Sequence, residues 1–65
     1  MRLRLNGEDH VTDAATVADL VRSLDLDPRK VAVERNLEIV PRSRYAQVAL
    51  ADGDQVEIVH FIGGG

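Results

Sequence analysis

Gln55-Val56-Glu57-Ile58-Val59-His60-Phe61-Ile62, running into Gly63-Gly64-Gly65, is the stretch on which the fold turns. Successive side chains of an extended chain point to opposite faces. Val56, Ile58 and Ile62 therefore share one side, and Val59 and Phe61 share the other. A strand that is apolar on both faces belongs at the centre of a sheet. The Asp52-Gly53-Asp54 turn sets its beginning, so the strand is expected from about Gln55 to Ile62. The glycines beyond it lack Cβ atoms and let a second protein close around the backbone. Extended, they reach roughly 10 Å past the strand, carrying the terminal carboxylate as the candidate reactive group.

Outward from this strand, Met1, Leu3 and Leu5 alternate with Arg2 and Arg4, the period of a half-buried strand. Asn6-Gly7 is a strong hairpin signal, since both central residues of a type I′ turn need positive φ. A second strand over about Glu8 to Thr12 carries little apolar content, which places it at a sheet edge. Val17, Leu20, Val21 and Leu24 form one apolar stripe on a helix expected from about Thr16 to Leu24, with Thr16 and Asp19 resembling a capping box. Pro28 ends that segment, and Asp27-Pro28-Arg29 begins a further short turn capped by Asp27. Val31 to Arg35 reads as a third strand, Asn36-Leu37 as a turn, and Glu38-Ile39-Val40 as a short fourth strand closed by Pro41. Tyr45 to Leu50 is a turn or short helical piece that plugs the bottom of the core.

Strand, strand, helix, strand, short strand, strand is the order of an α+β chain that packs one amphipathic helix on one mixed sheet. The layout is the β-grasp, or ubiquitin-like, arrangement: four to five strands, the first and last lying parallel at the centre. Residues 1–62 form the domain and residues 63–65 a flexible C-terminal tail.

At 65 residues, with no cysteine and a formal net charge of −3, the chain has room for one small core and little for a private catalytic cleft. Thiolate catalysis, disulfides and Cys-ligated metal are excluded. The acidic balance argues against nucleic acid and against an anionic membrane as partners. No run approaches a membrane span, and Met1-Arg2-Leu3-Arg4-Leu5 lacks a signal-peptide core, so the expected location is the cytoplasm.

Within the domain no catalytic constellation is visible. His10 and His60 lack metal-ligand spacing, so no metal site is expected, and His60 reads as a rim residue. Ser23 and Ser43 lack a nucleophile-elbow context. Asp52 and Asp54 read as turn formers. One helix covers only one face of a sheet, which leaves Val59 and Phe61 on the other, beside Leu3 or Arg4 depending on register. With Arg42 and Arg44 near the Pro41 loop, where Arg35 also clusters, they make a candidate docking surface for a partner. The plainer reading is ordinary exposed apolar area and a solvated edge.

The residues as a set resemble the ThiS family of sulfur carrier proteins of thiamine biosynthesis. The resemblance spans nearly the whole chain: Leu5-Asn6-Gly7-Glu8, Thr16-Val17-Ala18-Asp19-Leu20, Val31-Ala32-Val33-Glu34-Arg35-Asn36, Ile39-Val40-Pro41-Arg42-Ser43, and Asp52 to Val59 leading into Phe61-Ile62-Gly63-Gly64-Gly65. It implies a carrier rather than an enzyme, with no cofactor of its own. A ThiF-like adenylyltransferase would use MgATP to convert the Gly65 carboxylate into an acyl-adenylate, with Gly63 and Gly64 threading the partner's active site. A persulfide derived from a cysteine desulfurase would displace AMP and leave a thiocarboxylate, and thiazole synthase, ThiG, would accept the sulfur. Three glycines stand where two are the minimum, and Leu37 occupies a turn position where a small or polar residue is expected. The same handle would serve a carrier for molybdopterin synthesis or tRNA thiolation. A ubiquitin-like interaction module with an inert tail is the alternative of another class.

Overall fold

Alternation at the start of the chain builds a hairpin. In the computed structural model, which describes residues 1–61, β1 (Arg2–Leu5) turns Leu3 inward and β2 (Glu8–Val11) returns antiparallel, with Leu3 opposite His10. Asn6 and Gly7 take φ of 49° and 82°, the left-handed pair that a two-residue hairpin requires.

The helix α1 (Val17–Ser23) forms where the apolar stripe demands it, burying Val17, Leu20 and Val21. Thr16 caps it: the backbone is extended, and the Thr16 hydroxyl accepts from the Asp19 N–H at 3.2 Å. The N–H groups of Val17 and Ala18 would otherwise be orphans of the first turn. They donate to the carbonyls of Val48 and Tyr45, so the helix start is fastened to the later loop. At the other end Asp25 adopts φ 58° while its N–H reaches Arg22 and that of Leu26 reaches Val21, the hydrogen-bond pattern of a Schellman ending. Asp27 then caps a single 3-10 turn, Pro28–Lys30. The Arg29 side chain and N–H hold the Asp27 carboxyl down at about 2.

Three further strands complete the sheet: β3 (Val31–Arg35), β4 (Glu38–Val40) and β5 (Gln55–His60). The order is β2-β1-β5-β3-β4, with β5 parallel to β1 and antiparallel to β3. This five-stranded sheet with one helix on one face is the β-grasp arrangement. Val56 and Ile58 face the helix together with Leu3, Val31, Val33 and Val40. Full burial of each such side chain is worth about 1.5–3 kcal/mol. Tyr45 closes the bottom of the core, after a 3-10 turn at Arg42–Arg44. Its hydroxyl donates to the Val31 carbonyl at 3.2 Å, and burial pushes its pKa up.

Polar groups lock the centre of this sheet. Asp54 is 7% exposed, yet its carboxylate accepts from Ala51 N–H (2.8 Å), Asn36 Nδ2 (3.0 Å) and Arg35 Nε (2.7 Å). Burial alone would raise its pKa; the three donors outweigh that and hold it below the ordinary carboxylate value. Asn36 adds a second hold, donating its N–H to the Gln55 carbonyl and accepting the Gln55 N–H on Oδ1. Asn6 does the same on the opposite side: Oδ1 accepts the Ile58 N–H at 2.8 Å and Nδ2 donates to the Ile58 carbonyl at 3.2 Å.

Two expectations are corrected. The last strand ends at His60 rather than Ile62, although the Phe61 N–H still donates to the Lys30 carbonyl; Ile62 and the tail at residues 63–65 lie outside the described residues. Val59 does not sit beside Leu3 or Arg4, because pairing of β1 with β5 stops at Leu5 and Val56, where Asn6-Gly7 turns the chain away. Arg35 does border one groove with Pro41 and Arg44, although its guanidinium is also held by Asp54.

Two outcomes are expected. Asp54→Ala should lower stability by about 2–3 kcal/mol, since it strands buried donors. Because the folded pKa of Asp54 is depressed, its contribution is present above the unfolded value of about 3.9 and fades as pH falls through the folded value. Urea titrations from pH 6 down should therefore show a shallower acid loss in the variant. Leu37 takes φ 70°, a conformation that costs a non-glycine residue about 1–2 kcal/mol. Leu37→Gly should raise Tm by about 4–8 °C, the shift that about 1 kcal/mol gives a domain of this size.

Candidate functional site

Strand alternation decides what the end of β5 displays. With Val56 and Ile58 inward, Val59 and Phe61 project from the face that α1 does not cover, 62% and 42% exposed. Val59 lies directly opposite Ala32 of β3. Glu34, opposite both Ile39 and Glu57, continues the same face. Val59, Ala32 and Phe61 make one end of this face apolar, Glu34 and Glu57 follow, and Ile39 stands exposed opposite Glu34. Farther across, Arg4 approaches Asp9 at 3.8 Å, an exposed pair worth little.

Beside this patch β4 stops at Val40, because Pro41 has no N–H to continue the ladder. The vacated space is a groove of about 360 Å³ whose walls include Arg29, Ala32, Ile39, Pro41, Arg42 and Phe61. A neighbouring groove of about 310 Å³ is bordered by Arg35, Ile39, Pro41, Arg44 and Val48. The structure therefore brings Phe61 and Arg42 to one groove and sends Arg44 to the next, while Val59 stands on the open face between Phe61 and Glu57. Ile39 borders both grooves and is 78% exposed; the sequence reading passed over it. Its signal was the parity of β4, since Val40 faces the core and Ile39 must face away. Gly63, Gly64 and Gly65 lie outside the described residues.

Other polar candidates are committed to the fold. The Ser23 hydroxyl donates to the Leu20 carbonyl at 2.7 Å, and Asp52 accepts the Arg2 N–H at 2.7 Å. His10 is half-buried on β2, and His60 is exposed across from Val31. Among the described residues no group of three His, Cys, Asp or Glu side chains is placed to hold a metal ion. No described helix is long and apolar enough to cross a membrane. What the described surface offers is an apolar patch with the guanidiniums of Arg29 and Arg42 at its margin, beside Phe61, the last described residue. Because Val59 and Arg42 are exposed, Val59→Ser and Arg42→Glu should each leave the urea midpoint nearly unchanged, within about 0.5 kcal/mol of the parent.

Comparison with known proteins gives a consistent picture. The model of the ThiS family matches residues 3–65. The chain is similar to the sulfur carrier protein ThiS of Bacillus subtilis, 49% identical over 65 residues, which covers 97% of this chain and 98% of that one. It is 62% identical over 66 residues to a thiazole synthase of Paramagnetospirillum magneticum, covering 100% of this chain and 20% of that protein. The chain thus spans about one fifth of the length of the thiazole synthases that it matches. The crystal structure of a thiamine biosynthesis protein (ThiS) from Geobacter metallireducens superposes with a TM-score of 0.83 at 35% identity, and each chain is covered in full, 100%.

Proposed function

We propose, from the premise that the chain belongs to the ThiS family, that it is a sulfur carrier of thiamine biosynthesis whose cargo rides on the α-carboxylate of Gly65. The observation that carries this reading is the family match along residues 3–65, joined to a central strand that runs straight toward the glycine tail. A carboxylate is a poor electrophile. A ThiF-like adenylyltransferase would let a Gly65 carboxylate oxygen attack the α-phosphorus of MgATP, expelling pyrophosphate and leaving an acyl-adenylate. The terminal sulfur of a persulfide, ultimately from a cysteine desulfurase, would attack the acyl carbon and release AMP. A thiol would then cleave the resulting acyl disulfide and free the thiocarboxylate. Activation through a good leaving group is ordinary nucleophilic acyl chemistry, and tethering the product on a protein is the logic of group carriers.

In this reading the chain is a substrate of partner enzymes. Its own residues present the tail and dock: Phe61 and Val59 supply apolar contact, Arg42 charge, and Gly63 and Gly64 a slim passage. Thiazole synthase, ThiG, is proposed as the recipient. The support is that regions similar to this chain occur within proteins named thiazole synthase. The cytoplasm is the proposed location.

The experiment is intact mass of the protein incubated with MgATP, the adenylating partner and a sulfur source. The expected result is replacement of one oxygen by sulfur, localised to Gly65, and its loss when one residue is appended after Gly65. An unchanged mass in the parent would overturn the reading. Transfer of the sulfur to a molybdopterin precursor or tRNA, and not to thiazole synthase, would overturn the thiamine assignment alone.

A further inference from the structure

Every backbone donor and acceptor in a sheet needs a partner, so the places where a strand departs can be accounted for one by one. Along β5 the odd residues turn their N–H and C=O groups toward β3: the Gln55 carbonyl accepts from Asn36, and the Phe61 N–H donates to Lys30. The even residues turn toward β1: the Asp54 carbonyl accepts from Arg4 N–H, and the Val56 carbonyl from Asn6 N–H. When β1 leaves at Asn6-Gly7, the Asn6 amide takes over and satisfies both groups of Ile58. On the far side, where β4 leaves at Pro41, the Tyr45 hydroxyl satisfies the Val31 carbonyl. The next even residue of β5 is His60. It is exposed, and neither β1, β2 nor any described side chain hydrogen-bonds to it on that side.

From this contrast we infer that the free edge of β5 at His60 is where the adenylating partner adds a strand, in the lane that β1 vacates, before it grips the tail. This rests on the carrier reading above and specifies how the tail is recognised. Gly63, Gly64 and Gly65 present no side chains, so an enzyme that binds them must read main-chain groups. Strand addition is one way proteins do so: backbone hydrogen bonds give affinity, and side chains on alternate positions give selectivity. The neighbouring open face provides those positions, because Val59 and Phe61 flank His60 and are exposed. The occupant is therefore an extended segment of the partner with an apolar residue on the face shared with Val59 and Phe61. One open rung is too short to pair copies of this chain with each other, as protected sheet edges generally are. The edge is usable only by a partner that also engages the patch or the tail.

The test uses the whole chain and the adenylating enzyme, with sulfur loading read by mass on the same samples. In the free protein the His60 amide should exchange rapidly with solvent, and in the complex at least about tenfold more slowly, as a new backbone hydrogen bond demands. A semisynthetic chain with a backbone ester in place of the His60 N–H should bind about three- to tenfold more weakly, the loss of one hydrogen bond. His60→Ala, which keeps the N–H, should bind within about twofold of the parent. Unchanged exchange at His60 in a complex that still loads sulfur would overturn the strand-addition inference and leave the carrier reading standing. So would an ester chain that binds as tightly as the parent. Absence of both complex and loading would overturn the carrier reading itself.

Discussion

The rest of the structure depends on the two-sided grip on β5. A parallel neighbour and an antiparallel neighbour each hold it through main-chain ladders. Where those ladders fall short, asparagine side chains continue them, Asn6 at Ile58 and Asn36 at Gln55. Asp54 ties the strand's entry to the ends of β3 and the preceding turn. A carboxylate so far withdrawn from water is tolerable only because each neighbour donates to it; without those donors it would be a liability. The result is a strand fixed along its length, from a locked beginning to an exposed end.

That arrangement suits the carrier role proposed for the chain. A small domain holds little energy in reserve. Here it is spent on one face, where α1, Tyr45 and the inward strand residues are buried, while the opposite face keeps a short apolar patch at the place where β5 ends. The ionic pairs elsewhere are exposed and secondary. Position is what the fold contributes: β5 ends at a defined point beside a defined patch, and among the described residues nothing hydrogen-bonds His60 on its β1 side.

Much of this was legible in the amino-acid sequence because it follows from period and turn chemistry. The alternation of Leu3 and Leu5, the Asn6-Gly7 pair, the stripe of Val17, Leu20 and Val21, and the two-sided apolarity of β5 each admit few structural solutions. Thr16 and Asp27 announced their caps by residue type. What escaped depends on partners distant in sequence. Nothing near Arg35 reveals that Asp54 will also claim it. Asn6 and Asn36 read as turn residues, and their amides' second task appears only once β5 lies between them. Asp25 and Leu37 both adopt positive φ without being glycine, and the helix ending at Asp25 gave no local warning. Ile39 lies in the expected strand, but its exposure follows from β4 being an edge on which only Val40 turns into the core.

The central claim is that the fold exists to present the Gly65 carboxylate for loading by other proteins. The most direct measurement is carbon NMR of the protein labelled with carbonyl-13C glycine, followed during incubation with MgATP, the adenylating partner and a sulfur source. The account predicts that the Gly65 carboxylate resonance alone moves to the position of a thiocarboxylate, while the carbonyls of the other glycines keep their chemical identity. Sulfur incorporation with the Gly65 resonance unmoved, or no change at all in the presence of competent partners, would contradict it.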